Sequence, residues 1–274
     1  MFEFFEYAFM RRALLAALLG GITCGLVGVW VVMLGIPFVG VAMAHAAFAG
    51  ALFGLLLNIN PLASAFGFCV ISAAFIGPMA DKGDFEPNLS TGIIFSIVLG
   101  AAFLFMGMLQ ETRAEAMMFI WGNILTVSTT DIYLLAVTAA LVIIFPLLFF
   151  KEILSVLYDR FIARAAGIPD RAIFYVMLFL CGLTVTLNLN TVGGILIFSL
   201  VIAPPAAAYQ LTYSLKTMHF LSAFFGVFAC FSGLMLSYAF NLPSGASIIT
   251  VSGLVFLFCL IFSPKKNIRA DARA

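Results

Sequence analysis

Few side chains in this sequence are equipped for chemistry, and the most conspicuous is a histidine. The 274 residues include 2 histidines, 13 basic and 12 acidic side chains, so only 9% of the chain is charged. His45 lies in GVAMAHAAFAG, inside an apolar run, where ionisable groups are rare and tend to line a pathway. A neutral imidazole ligates divalent transition metals, which makes His45 the candidate metal-binding and pathway residue. The alternative is a neutral histidine bonded to a backbone carbonyl of a neighbouring helix, and composition leaves both open. His219, near Lys216 at the edge of another apolar run, reads as interfacial. Asn123, Asn188, Asn190, Thr191 and Ser199 are further polar groups in apolar surroundings, of the kind that helix-to-helix hydrogen bonds satisfy. The 5 cysteines are scattered singly with no CxxC spacing and read as small buried hydrophobes.

Several chemistries are missing. There is no GxxxxGK(S/T) phosphate loop, Gly83 in DKGD being the only glycine beside a lysine, so an ATP motor would have to be a partner. HExxH, GxSxG and paired aspartate-rich motifs are absent too, which argues against an enzyme. No cofactor is implied, and a net charge of +1 suggests no nucleic-acid partner.

The elements that must position these groups are apolar. The chain is 64% hydrophobic and 15% aromatic with a mean hydropathy of +1.20, against roughly 45–50% apolar for a soluble domain. An all-α, polytopic membrane helical bundle is expected. Spans of the ~20 residues needed to cross a bilayer fall at Leu14 to Leu34, Phe38 to Leu57, Leu62 to Ala80, Gly92 to Leu109, Asp131 to Phe150, Ala172 to Leu189, Gly193 to Leu211, His219 to Phe240 and Ala246 to Phe262. That makes about nine helices, or eight if the seventh is counted differently, because Gly193, Gly194, Pro204 and Pro205 interrupt it. Broken helices are tolerated where protein or a watery cavity satisfies the freed backbone; these residues either let the span move or kink it for packing. Residues 1–13 read as an interfacial segment, 14–263 as the membrane domain and 264–274 as a basic tail.

Orientation follows from the cations. With nine spans and Lys151 in the cytoplasm, Lys82, Lys151, Arg160, Arg164, Arg171, Lys216, Lys265, Lys266, Arg269 and Arg273 lie inside, leaving Arg11, Arg12 and Arg113 outside. This 10 to 3 division of the 13 basic residues obeys the positive-inside rule and puts the N-terminus outside and the C-terminus in the cytoplasm. Ala42, Ala46, Gly50 and Gly54 repeat every fourth residue, as do Gly21 and Gly25, and such faces let helices approach closely in lipid.

The one polar interruption is Lys151 to Arg171, KEILSVLYDRFIARAAGIPDR. Leu154, Leu157, Tyr158, Phe161, Ile162 and Ala165 form the stripe of a single amphipathic helix over 151–168. Gly167 is placed for a left-handed cap, Pro169 stops the helix, and Asp170 is placed to cap the next one.

Seven stretches in order carry a resemblance: RRALLAALLGGITCGLVGVWVV, FVGVAMAHAAFAGALFGLLLNINPL, GIIFSIVLGAAFLFMG, WGNILTVSTTD, DRFIARAAGIP, VGGILIFSLVIAPPAAAYQL and LPSGASIITV. Together they resemble the integral membrane permeases of bacterial ABC importers for zinc, manganese and iron. The resemblance implies a helical bundle in the inner (plasma) membrane, working as a homodimer with two cytoplasmic ATPase subunits. An extracytoplasmic metal-binding protein would deliver the divalent ion. It also implies that the ARAAGIP helix is the coupling helix, with Arg160, Ala163, Arg164, Ala165 and Gly167 as coupling positions. On that reading the apolar stripe holds the bundle while Asp159, Arg160, Ala163 and Arg164 face the ATPase. The family's usual GDxxxHA pattern is altered: Val41 stands at the aspartate position while His45 remains, and Leu34, Gly35 and Ile36 stand where an arginine pair is common. Either His45 acts from both protomers, or metal is held less tightly, or the substrate is not a metal ion. An ATP-independent secondary transporter or channel is the alternative of another class, and the boundary placement of every Asp, Glu, Lys and Arg counts against it.

Overall fold

The computed structural model describes residues 8–82, 87–109 and 127–265 together with positions 119 and 122. The segment 1–7, Arg113, Asn123, Lys266, Arg269 and Arg273 lie outside the described residues, as does the side chain of Asn190. Among the described residues eleven helices follow one another: α1 Ala8–Met33, α2 Phe38–Leu56, α3 Pro61–Lys82, α4 Pro87–Met108, α5 Thr129–Leu148, α6 Phe150–Tyr158, α7 Arg160–Ala165, α8 Asp170–Val192, α9 Gly194–Leu211, α10 Leu215–Phe240 and α11 Ser244–Ile261. Eight of these helices in the described residues are long and apolar enough to cross a membrane, namely α1 to α5, α8, α10 and α11. The expected seventh span is the short one, α9, which starts directly after α8.

These helices are apolar on all sides because one face meets lipid and the other meets protein. Their burial is nevertheless unequal: α1, α2 and α8 are mostly enclosed, whereas α3, α4, α5, α10 and α11 turn most of their surface outward. Helix α1 is central, packing on α10, α9, α5 and α8.

Close approach is what the small residues supply. A Cβ built on Gly21 would lie 2.7 Å from the Gly226 carbonyl carbon, and one on Gly25 would lie 2.7 Å from the Ser222 carbonyl oxygen. Ser222 Oγ then donates to Gly25 O at 2.6 Å, tying α10 to α1. On α2, Gly50 and Gly54 lie against Ser64 and Pro61 of α3, with Ala42 and Ala46 fully buried. All five cysteines are free and buried.

One end of the bundle gathers the polar connections. Met33, Tyr158, Tyr209, Tyr213 and Lys265 line a single cavity of about 420 Å³, so the ends of α1, α6, α9 and α11 meet there with the start of α10. Asn88 Nδ2 donates to Gly35 O at 2.9 Å, joining the α1–α2 turn to the start of α4.

Candidate coupling and pathway site

The polar interruption folds as two helices rather than the single one expected. Asp159 is extended (φ −161°, ψ 119°) between α6 and α7, and its Oδ1 accepts from Phe161 N at 2.7 Å and Ile162 N at 3.0 Å. A short carboxylate offers the backbone this N-cap in competition with helix continuation. The end of α7 is as the spacing predicts. Gly167 is left-handed (φ 79°), its N–H donates to Arg164 O, and Ile168 N–H donates to Ala163 O, both at 3.0 Å, which is the Schellman arrangement.

Asp170 does not cap α8; Pro169 holds the N-cap position and makes no side-chain bond. Its carboxylate is buried and turned back to α7. Arg164 Nε donates to Oδ1 at 2.9 Å and Arg164 Nη2 to Oδ2 at 2.7 Å, while Arg160 Nη2 reaches Oδ2 at 3.3 Å. The Arg160 guanidinium also lies 4.2 Å from the centre of the Phe174 ring. Two cations on a short helix thus share one anion on α8, and Arg160 also lies on a ring of that helix, a paired geometry that arginine suits.

That arrangement reverses the expected faces. Ala163 is buried and Arg160 is half-covered against α8, whereas Tyr158 and Phe161 are 83% and 80% exposed and Ile162 and Leu154 are exposed beside them. Arg164, Ala165 and Gly167 also lie at the surface, and Asp159 is half-buried. The inward side of α6 is Ile153, Val156 and Leu157, so only Leu157 of the expected stripe packs on the bundle. The face open to a partner is apolar and aromatic, next to a cavity of about 330 Å³ lined by Tyr158, Ile162 and Ala166. A concentrated apolar patch of this kind marks an interaction surface.

Inside the bundle, His45 is half-buried. Its Nδ1 lies 2.9 Å from Val41 O; since a carbonyl can only accept, Nδ1 carries a proton, and in the neutral ring Nε2 is then the nitrogen with a lone pair. Phe95 of α4 meets the ring edge-on with centroids 4.9 Å apart. Val41, one turn earlier, is half-buried on the same face. Among the described residues no group of three or more His, Cys, Asp or Glu is placed to hold a metal ion. His219 is buried. Its Nδ1 donates to Leu215 O at 2.9 Å and its Nε2 accepts from Trp30 Nε1 at 3.1 Å, so both ring nitrogens are occupied.

The joint between the sixth and seventh expected spans falls at one residue. Gly193 (φ 91°, ψ 148°) ends α8 and begins α9, and both it and Gly194 are buried. A side chain is strained at such a φ. A Cβ on Gly194 would lie 3.3 Å from Leu189 Cδ1 and 3.9 Å from the carbonyl oxygen of Ala44, the residue before His45. Pro204 and Pro205 do not break the span; α9 runs through both. The N–H missing at Pro205 leaves the Val201 carbonyl without its helical donor, and that carbonyl and the Pro205 ring press on Gly28 of α1. Gly194 thus lies near the backbone of the turn that carries His45, and Pro205 packs on Gly28 of α1, while Pro204 is buried within α9. Nearby, Asn188 is fully buried and its Nδ2 donates to Thr184 O at 2.8 Å.

Two partnerships, Asp170 with Arg160 and Arg164 and Trp30 with His219, are not read from the sequence. Asp170 follows two arginines within ten residues, a signal overshadowed by its equally good position for a cap. Trp30 is 189 residues from His219, and nothing local pairs them.

Known proteins match along nearly the whole chain. A family model described as the ABC 3 transport family matches residues 6–263. The manganese transport system membrane protein MntC of Halalkalibacterium halodurans is 30% identical over 266 residues, covering 97% of this chain and 91% of the relative. The manganese import system permease protein ScaB of Streptococcus gordonii is also 30% identical, over 96% of this chain and 94% of its own. A probable iron transport system membrane protein of Haemophilus influenzae is 28% identical, over 97% and 94%. Among solved structures, PsaBC from Streptococcus pneumoniae in complex with Fab superposes with a TM-score of 0.85 at 29% identity, covering 97% of each chain.

Proposed function

The chain belongs to the ABC 3 transport family, and from that premise we propose that it is the membrane-spanning permease of an importer that carries manganese into the cytoplasm. The ATPase is a separate cytoplasmic subunit, an extracytoplasmic protein delivers the ion, and two copies of this chain form the permease. Manganese is put first because MntC of Halalkalibacterium halodurans and ScaB of Streptococcus gordonii are named for it; zinc and iron remain in the substrate class. The end carrying α6 and α7 faces the cytoplasm, in keeping with the distribution of basic residues.

The observation that carries the mechanism is the tie between α7 and α8. The exposed Tyr158, Phe161 and Ile162 seat in the ATPase, whose closure pushes α7. Because Arg160 and Arg164 both hold Asp170, that push reaches α8 without slack. The far end of α8 turns at Gly193 beside the His45 turn of α2, so movement of α8 opens or closes the path there. His45 Nε2 supplies a nitrogen ligand to the passing ion. With Val41 offering no carboxylate, binding is weak and release is fast.

The test is reconstitution. Proteoliposomes holding the permease and its ATPase, given the binding protein, are expected to accumulate radioactive manganese only with internal ATP. Manganese flux driven by an ion gradient through the permease alone would overturn the reading.

A further inference from the structure

A groove of about 800 Å³ opens on the outside of the bundle, over α1, where α5 and α6 diverge from α10. Helix α1 packs on both α5 and α10, but those two do not pack extensively on each other. The trough between them is apolar, walled by Ile143, Pro146 and Leu147 of α5 and floored by Leu26. At its polar end the chemistry changes within one turn. Phe149 (φ −112°, ψ 33°) separates α5 from α6, and Lys151 then stands at the mouth across from Lys216 of α10. Both lysines are exposed, and Lys216 Nζ lies 5.1 Å from the centre of the Phe150 ring. Glu152 is the one acidic lining residue, so the mouth is net positive. His219, also lining the groove, has both nitrogens engaged and adds no charge or free donor.

We infer that this groove holds one anionic glycerophospholipid, its phosphate between Lys151 and Lys216 and an acyl chain along Ile143, Pro146 and Leu147. Three features select that occupant. The apolar wall is continuous with the outward surface of α5, a membrane-spanning helix whose Leu147 and Leu148 are 74% and 70% exposed, so hydrocarbon rather than water is its natural neighbour. The lysines sit where that helix ends, at the depth of lipid phosphates, and long basic side chains reach toward that layer while their stems lie on apolar surface. Basic pockets between membrane helices on the cytoplasmic side are suited to anionic headgroups. A soluble anion would gain nothing from the trough, and a zwitterionic lipid gains less from two ammonium groups. The lipid bridges the α6 side of the coupling region to α10, so its loss slows transport as well as lowering lipid occupancy.

The permease–ATPase complex, taken into nanodiscs containing phosphatidylglycerol and phosphatidylcholine in equal amounts and then released, is examined by native mass spectrometry. One retained phosphatidylglycerol per permease copy is expected. Lys151→Ala with Lys216→Ala should lower that occupancy about tenfold, and Lys151→Arg with Lys216→Arg should keep it. Leu147→Trp, which fills the wall and leaves the lysines, should expel the lipid as well. Wild-type thermal midpoints and ATPase co-purification establish that the variants are folded. Undiminished phosphatidylglycerol in the double alanine variant would overturn the inference, as would equal retention of phosphatidylcholine. So would a photo-crosslinker on Leu147→Cys that captures the ATPase or a second permease copy instead of lipid.

Discussion

The α6–α7 end, proposed as the coupling end, and the interior break are both points where a helix stops, and they are built from opposite materials. At the coupling end, side chains do the work: Asp159 caps α7, and Asp170 holds Arg160 and Arg164. At the break between α8 and α9, backbone does it: Gly193 turns at φ 91° with no side-chain cap, and the surrounding helices meet through Gly21, Gly25, Gly28 and Gly226. The difference follows from the solvent. Near water, charged groups are affordable if paired, and a charge-assisted, two-point bond fixes orientation as well as distance. In hydrocarbon a charge is expensive, so shape and small residues replace it. On the proposed function, a coupling end that transmits a push gains from the first, and a passage that changes shape gains from the second.

The largest test of this contrast is at Asp170. Arg164→Glu brings a second carboxylate against the one at 2.7 Å and is expected to lower ATP-driven manganese uptake by more than tenfold while the protein still inserts into membranes. The exchange Arg164→Asp with Asp170→Arg should recover a measurable part of that uptake, as a paired charge would and a merely crowded site would not. Normal uptake in Arg164→Glu would dissolve the distinction between the two regions.

At the interior break the effect should be smaller and steric. Gly193→Val forces a β-branched residue into a positive-φ conformation at a cost of roughly 1–3 kcal/mol. A lower thermal midpoint and a several-fold slower uptake are expected, with ATPase co-purification unchanged. If Gly193→Val left both readouts alone, the break would not depend on backbone freedom.

The smallest change sharpens the pathway assignment. His45→Ala should reduce manganese accumulation a few-fold, measured by elemental analysis of cells. Val41→Asp, which sets a carboxylate one turn from His45 where i and i+4 share a face, should lower the KM for uptake and slow the maximal rate, because a tighter site releases later. Unchanged accumulation in His45→Ala would return that residue to packing against Phe95.

Much of the fold is legible in the chain. Composition alone demands membrane helices, and the described residues contain eight of spanning length and the short α9 where nine apolar runs were read. The Gly167 stop and the Gly21, Gly25, Gly50 and Gly54 approaches follow from backbone and side-chain size, which are local properties. The candidate site is legible in part: Gly194 lies near the backbone of Ala44, beside His45, while most of the apolar stripe of α6 and α7 faces outward, opposite to what periodicity suggests. Periodicity marks which residues are alike, and it does not say whether an apolar face at a membrane boundary turns toward its own bundle or toward a partner.

The sequence by itself determined the class of protein, the placing of most of its helices and the set of glycines and prolines among which the joint between α8 and α9 falls. Each depends on hydropathy or chain stiffness within a short window. Only the tertiary structure decided that α1, α2 and α8 are the inner helices, that His219 is buried against Trp30, and that Asp170 binds arginines instead of capping α8. Lipid and protein interior are equally apolar, so helix amphipathicity carries no record of inside and outside. A buried carboxylate's partner is set by whichever cation the packing brings within 3 Å or so.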